Sequence, residues 1–143
     1  MNEKKIRARQ LGIPFEGVTG EFNAITDVPG ILVGEKTLIS GVPPLKPGKG
    51  PIRTGVTSIL PKGFEKEPQP VWAGQYSLNG NGEMTGTHWI KDGGYFVGPI
   101  CLTNTNNVGI THHSANKWLL EHYNQYFEKD HLWAMPVIAE TYD

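Results

Sequence analysis

The sequence predicts an α+β fold. Several β-type runs lie between residues 22 and 105, one amphipathic helical pattern comes after them, and one more apolar run, Val137-Ile138-Ala139, closes the chain. Strands gathered ahead of a single long helix argue against regular β-α-β alternation. The 143 residues include 18 Gly and 11 Pro, about one residue in five, which excludes a helical bundle or a coiled coil. Apolar residues make up 38% of the chain, enough for a core, and the length allows one domain at most.

Residues 1–10 form a charged polar arm or a short helix, and Pro14 forces an extended approach to the next segment. Phe22-Asn23-Ala24-Ile25-Thr26-Asp27-Val28 alternates apolar and polar, a strand pattern. Pro29-Gly30 is a turn pair, and residues 31–39 read as the returning strand of a hairpin. Residues 41–53, rich in Gly and Pro, form a surface loop. Gly55 to Leu60 is a β-rich run stopped by Pro61, and residues 63–70 are a charged loop. Val71 to Leu78 is a further strand, and Ile100 to Thr105 a buried one. From Gly109 to Phe127, Ala115, Trp118, Leu119, His122 and Tyr126 recur at three- and four-residue spacings, which predicts a helix packed on a sheet.

Composition narrows the function classes. A net charge of -1 gives no bulk electrostatic case for nucleic acid or for an anionic membrane. Cys101 is the single cysteine, so no internal disulfide forms. The charged N-terminus lacks the apolar core of a signal peptide, and no apolar run is long enough to span a membrane. The default location is the cytoplasm.

Five histidines invite a metal reading, but His112 and His113 are adjacent and diverge on a helix, and no H-E-x-x-H or C-x-x-C occurs. None of Ser40, Ser58, Ser77 and Ser114 stands in G-x-S-x-G. Cys101 lies in an apolar strand, where a thiol is inert core. Asn79-Gly80-Asn81-Gly82-Glu83-Met84-Thr85-Gly86 reads first as a tight turn and second as a ligand-binding loop with two amides and a carboxylate. Thr103 to Gly109 joins a buried strand to a helix, where Thr or Asn caps the helix or the backbone N–H groups meet an anion. Glu140 stands at or just past the end of a buried strand. It is either the partner of a structural Arg such as Arg53 or a binding group aimed into a cleft.

The ordered segments resemble one family: the self-processing L-aminopeptidase/D-esterases and β-peptidyl aminopeptidases of the DmpA/BapA type. The segments are Arg7 to Gly17, Asn23 to Gly30, Arg53 to Thr57, Ser77 to Gly86, Gly98-Pro99-Ile100 with Thr103-Asn104-Thr105, and Val137 to Asp143. Together they cover almost the whole chain. The resemblance implies a four-layer α/β/β/α sandwich like that of N-terminal-nucleophile hydrolases. It also implies a precursor that cleaves itself before a serine, whose freed amine then serves as base. Short peptides, amides or esters with a free N-terminal amine would be the substrates, without cofactor or metal. The partners would be the remaining α-chain segment and the β chain, in an oligomer of αβ units.

Two residues carry over by position. Glu140 matches the family carboxylate that holds the substrate ammonium, and Tyr142 the tyrosine near the oxyanion hole. Asn79, Asn81 and Glu83 fall in a family motif and carry over only as cleft-lining residues. The sequence departs from the family pattern by stopping at Asp143 with no Gly-Ser processing site, so residues 1–143 are expected to be the N-terminal portion of one sandwich domain, catalytically dead alone. Two alternatives stand beside this reading. An ornithine acetyltransferase-like protein of the same fold would have a companion chain beginning with Thr rather than Ser. A non-catalytic structural or binding segment would have no companion and would fold as a monomer.

Overall fold

The computed structural model describes residues 6–131 and 133–142. Residues 1–5 of the expected arm, and Asp143, lie outside the described residues. The main sheet has four strands: β1 (Leu32–Ser40), β2 (Ile52–Leu60), β5 (Ile100–Asn104) and β6 (Val137–Thr141), in the order β1-β2-β5-β6. β1 pairs antiparallel with β2, from Leu32 opposite Leu60 to Ser40 opposite Ile52, and β2 pairs antiparallel with β5. β5 and β6 are parallel. Parallel neighbours need a crossover, and α2 (Val108–His122) supplies it. A second, two-stranded sheet joins β3 (Pro70–Trp72) to β4 (Tyr95–Val97), with α1 (Thr87–Gly93) between them in sequence.

Two small cores lie on opposite faces of the main sheet. On one face, Val108 and Ala115 of α2 pack on Cys101 and Ile138, with Val56 at the margin. On the other, Ile90 of α1 and Phe96 of β4 pack on Val137, joined by Ile100, Val71, Ala73 and Met84. Neighbouring residues Val137 and Ile138 serve different cores because successive side chains of a strand point to opposite faces. The buried stripe of α2 is Val108, Thr111, Ala115 and Leu119, a helical spacing. Leu119 reaches the turn before β5, where a Cβ on Gly98 would lie 2.9 Å from its Cδ1. With φ at +109°, Gly98 also holds a backbone conformation that side-chain-bearing residues rarely adopt.

The predicted strands at Gly55 to Leu60, Ile100 to Thr105 and Val137 to Ala139 are present, and the α+β class holds. The predicted hairpin over Pro29-Gly30 does not form. Residues Ile25–Asp27 make a single 3₁₀ turn, because the Asp27 carboxylate accepts the N–H groups of Phe22 at 2.8 Å and Ala24 at 3.0 Å. Such local side-chain bonds compete with a sheet ladder, and the same N–H groups hold the Asp27 carboxyl below its ordinary pKa. β1 takes its partner from across the 41–51 loop instead. The strand expected over Val71 to Leu78 shrinks to Pro70–Trp72. The long helix breaks at Tyr123, and α3 (Asn124–Phe127) comes next as a separate turn. His122 stays on the surface, stacked on Trp118 with ring centroids 4.8 Å apart.

The sheet is covered unevenly. α2 packs over β5 and β6, while all of β1 is exposed. Beside α2 a groove of about 840 Å³ opens, with Leu32, Leu38, Val56 and Leu60 on its sheet side and Ile110 and Trp118 on its helix side. The segment from Ile6 to Val28 adds further exposed apolar residues, among them Leu11, Phe15, Phe22 and Ile25. Its bonds are largely internal. Arg7 donates to the carbonyls of Phe22 and Asn23, and Arg9 to those of Phe15 and Glu16. Apolar surface on this scale drives association. Residues 1–143 alone should therefore self-associate at micromolar concentration. Sedimentation velocity checks this, and a monodisperse monomer with cooperative unfolding would refute it.

Candidate active site

The candidate site is built on the outer edge of β6. Its inner edge pairs with β5, with Thr103 opposite Glu140. Its outer edge is taken by residues 83–85, which lie against it like a two-rung strand. Thr85 N–H donates to the Ile138 carbonyl and Glu140 N–H to the Glu83 carbonyl, both at 2.9 Å, with Met84 opposite Ala139. Two side chains complete the edge. The Thr85 hydroxyl accepts the Ile138 N–H at 2.9 Å and donates to the Pro136 carbonyl at 3.0 Å. The Glu140 Oε2 accepts the Glu83 N–H at 3.0 Å.

The candidate residues are brought together only in part. Glu140 is half-buried at the end of β6 and joined to Glu83 through the backbone. Among the described residues its second carboxylate oxygen has no hydrogen-bond partner. Arg53 does not pair with it: that guanidinium donates to the carbonyls of Ser40, Gly41 and Ile52 at the β1–β2 connection. Tyr142 lies one residue past β6, and its ring is fully exposed. The Asn79 side-chain oxygen accepts the Asn81 N–H at 2.8 Å and so closes a local turn, while the Ser77 hydroxyl donates to the Asn79 carbonyl at 2.9 Å. The side chains of Asn79, Asn81 and Glu83 are exposed. Gly86, at φ +77°, turns the chain into α1.

At the strand-to-helix junction the Asn104 side chain caps the 3₁₀ turn Thr105–Asn107, while the N-cap residue of α2, Asn107, makes no side-chain cap bond among the described residues. Asn104 accepts the Asn107 N–H at 3.1 Å and donates to the Thr54 hydroxyl at 2.6 Å. Among the described residues no three His, Cys, Asp or Glu side chains gather as a metal site, and no helix is long and apolar enough to cross a membrane. Sequence reasoning placed the Asn79 to Gly86 loop but missed Thr85 as its anchor. A Thr beside a glycine at the end of a polar loop was the available signal.

The profile of Peptidase family S58 matches residues 23–143. The chain belongs to this family. It is 50% identical over 137 residues to the β-peptidyl aminopeptidase BapA of Sphingosinicella microcystinivorans, an alignment covering 96% of this chain and 33% of that protein. The L-aminopeptidase D-Ala-esterase/amidase of Ochrobactrum anthropi superposes with a TM-score of 0.87 at 55% identity, over 96% of this chain and 38% of the other. That structure is a variant of the Ntn hydrolase fold and a prototype for the serine aminopeptidases. A β-aminopeptidase of Burkholderia sp. superposes with a TM-score of 0.77 at 42% identity, over 96% and 36% of the two chains. The S58 chain therefore spans about a third of the length of the curated relative. The fold resemblance in the sequence is correct.

Cys101 is buried in the S58 core, with its Sγ 3.3 Å from the Ser58 hydroxyl. Burial raises its pKa, and the Ser58 contact opposes this only in part. The folded chain should leave Cys101 unmodified by a water-soluble thiol reagent at pH 8 and expose one reactive thiol on denaturation. Rapid labelling of the native chain would refute its assignment to the core.

Proposed function

We propose that residues 1–143 are the N-terminal portion of a single sandwich domain in a self-processing serine aminopeptidase. The whole protein hydrolyses the amide or ester bond after an N-terminal residue that bears a free amine, in short peptides and related small substrates. The nucleophile is the freed N-terminal serine of a β chain from the same precursor, and the working form is an oligomer of αβ units in the cytoplasm. The observation that carries this reading is the 50% identity to a β-peptidyl aminopeptidase across 96% of the chain. Glu140, the residue that the resemblance assigns to the amine, is a half-buried carboxylate at the end of β6 with one oxygen on the Glu83 N–H.

In this role Glu140 accepts the substrate ammonium on the carboxylate oxygen that Glu83 does not engage. A charge-assisted hydrogen bond of this kind distinguishes a terminal amine from an internal peptide bond. The Tyr142 hydroxyl donates to the oxygen of the scissile carbonyl as negative charge develops there, an interaction stronger in the transition state than in the ground state. Asn79, Asn81 and Glu83 line the cleft at the amine end. The full peptide geometry is completed by the parts of the protein beyond this segment.

Two substitutions in the complete enzyme test these assignments. Truncating one partner of a buried charge pair costs about 2–5 kcal/mol, so Glu140→Gln should lose activity on free-amine substrates while remaining folded. N-acetylated substrates should be poor for the wild type. Equal turnover of free-amine peptides by Glu140→Gln and wild type would make Glu140 a structural residue. Removing one oxyanion donor lowers kcat by about 10²–10³, so Tyr142→Phe should lower kcat and leave KM nearly unchanged. A raised KM with unchanged kcat would make Tyr142 a wall of the binding site instead.

A further inference from the structure

The two-rung ladder on the outer edge of β6 ends in a side chain at both ends. In an ordinary antiparallel pair of this register, the Ile138 N–H would go to the Thr85 carbonyl and the Glu83 N–H to the Glu140 carbonyl. Here the Ile138 N–H goes to the Thr85 hydroxyl, and the Glu83 N–H goes to the Glu140 carboxylate. The first exchange accompanies the turn at Gly86, where φ is +77° and α1 begins. The second makes the place of Glu140 Oε2 depend on where the Glu83 amide lies.

The segment that holds that amide in place is short. Residues 77–83 are exposed and carry Gly80 and Gly82, and their side-chain bonds run within the loop. Contact with β6 begins at Glu83 and Met84 and reaches its firmest point at Thr85. This residue makes three bonds of 2.9–3.0 Å to Pro136 and Ile138 through its amide and its hydroxyl. A hydroxyl that both accepts and donates at fixed partners cannot slide along the strand without losing both bonds. A one-residue slip would also remove the Glu83 amide from Glu140.

We infer that Thr85 is a positioning residue: its hydroxyl pins residues 83–85 in register on β6, so that the Glu83 amide aims the Glu140 carboxylate at the substrate amine. This rests on the assignment of Glu140 to the amine given above. In this role Thr85 acts through Glu83 and Glu140 alone.

The test uses the complete enzyme and two substrates that differ only in the amine: a free-amine amide and its des-amino analogue. Thr85→Val keeps the shape and deletes the hydroxyl. It should raise KM for the free-amine substrate about tenfold, the size of one or two lost hydrogen bonds, with kcat within about twofold. KM for the des-amino analogue should not move, and Thr85→Ser should behave as wild type on both. Thr85→Ala, which leaves space for a water between the same partners, provides the measurement should the valine variant fail to assemble. The inference is overturned if KM for both substrates shifts equally, if Thr85→Ser fails to restore KM, or if neither the Val nor the Ala variant assembles, since each makes Thr85 merely structural. Glu140→Gln separates the positioning role from the amine assignment beneath it. If it abolishes the preference for the free amine while Thr85→Val retains wild-type KM, the positioning role alone falls. If it leaves the preference intact, the amine assignment has failed, and the positioning role falls with it.

Discussion

Parallel pairing of β5 with β6 is the constraint on which the other parts depend. Two parallel neighbours cannot be joined by a tight turn, so the chain between them must leave the sheet and return. It does so through α2, whose buried stripe then has only one surface to cover, the face that carries Cys101 and Ile138. Ile138 and Leu119 are completely buried, and Gly98 provides the close approach that lets Leu119 sit beside the turn into β5. Burying such aliphatic side chains contributes about 1.5–3 kcal/mol each. The same pairing fixes the end of β6, and with it the height at which Glu140 leaves the sheet.

Two small cores, rather than one large one, arise from the composition. β5 and β6 supply apolar side chains to both faces, as strands covered on both sides do. β1 and β2 carry Glu35, Lys36, Thr37, Arg53, Thr54 and Thr57 among their apolar residues, and α2 does not extend over them. The sheet is thus well covered at the β6 side and open at the β1 side, where the groove beside α2 lies. The arm of residues 6–31 has the same character: its guanidinium and carboxylate groups hold its own turns, and its apolar side chains remain outside.

Legibility from sequence tracked the range of the interactions. β5 and β6 were readable as apolar runs that are buried, and β2 because β-branched residues favour a strand even where it is only half-buried. α2 was readable from its three- and four-residue spacing, although the pattern could not reveal the break at Tyr123, where Trp118, His122 and Tyr123 form a ring cluster that closes the helix end. The alternation at Phe22 to Val28 misled because a single carboxylate, Asp27, satisfied two backbone N–H groups locally and removed the need for a strand partner. α1 and β4 were missed for a different reason. Each is short, framed by Gly86, Gly93 and Gly94, and held by packing of Ile90 and Phe96 against Val137, far away in sequence. The candidate site was legible as residue types but not as an arrangement. The Thr85 bonds join residues 51 and 53 positions apart, a separation that no local pattern records.

The placement of the site also derives from the sheet rather than from the loop that decorates it. In open α/β sheets, ligands bind beyond the carboxyl ends of parallel strands, where the chains part to enter helices and loops. β5 and β6 reach that end together, with Asn104 opposite Thr141 and Thr103 opposite Glu140. At that shared end β5 runs into the 3₁₀ turn Thr105–Asn107 ahead of α2, where the Asn104 side-chain oxygen accepts the Asn107 N–H. The last residues of β6 present their side chains there instead of a helix cap. A carboxylate placed at this position stands on a buried strand on one side and on the pinned 83–85 edge on the other. Support from two directions fixes the position of the Glu140 carboxylate, whose second oxygen has no hydrogen-bond partner among the described residues.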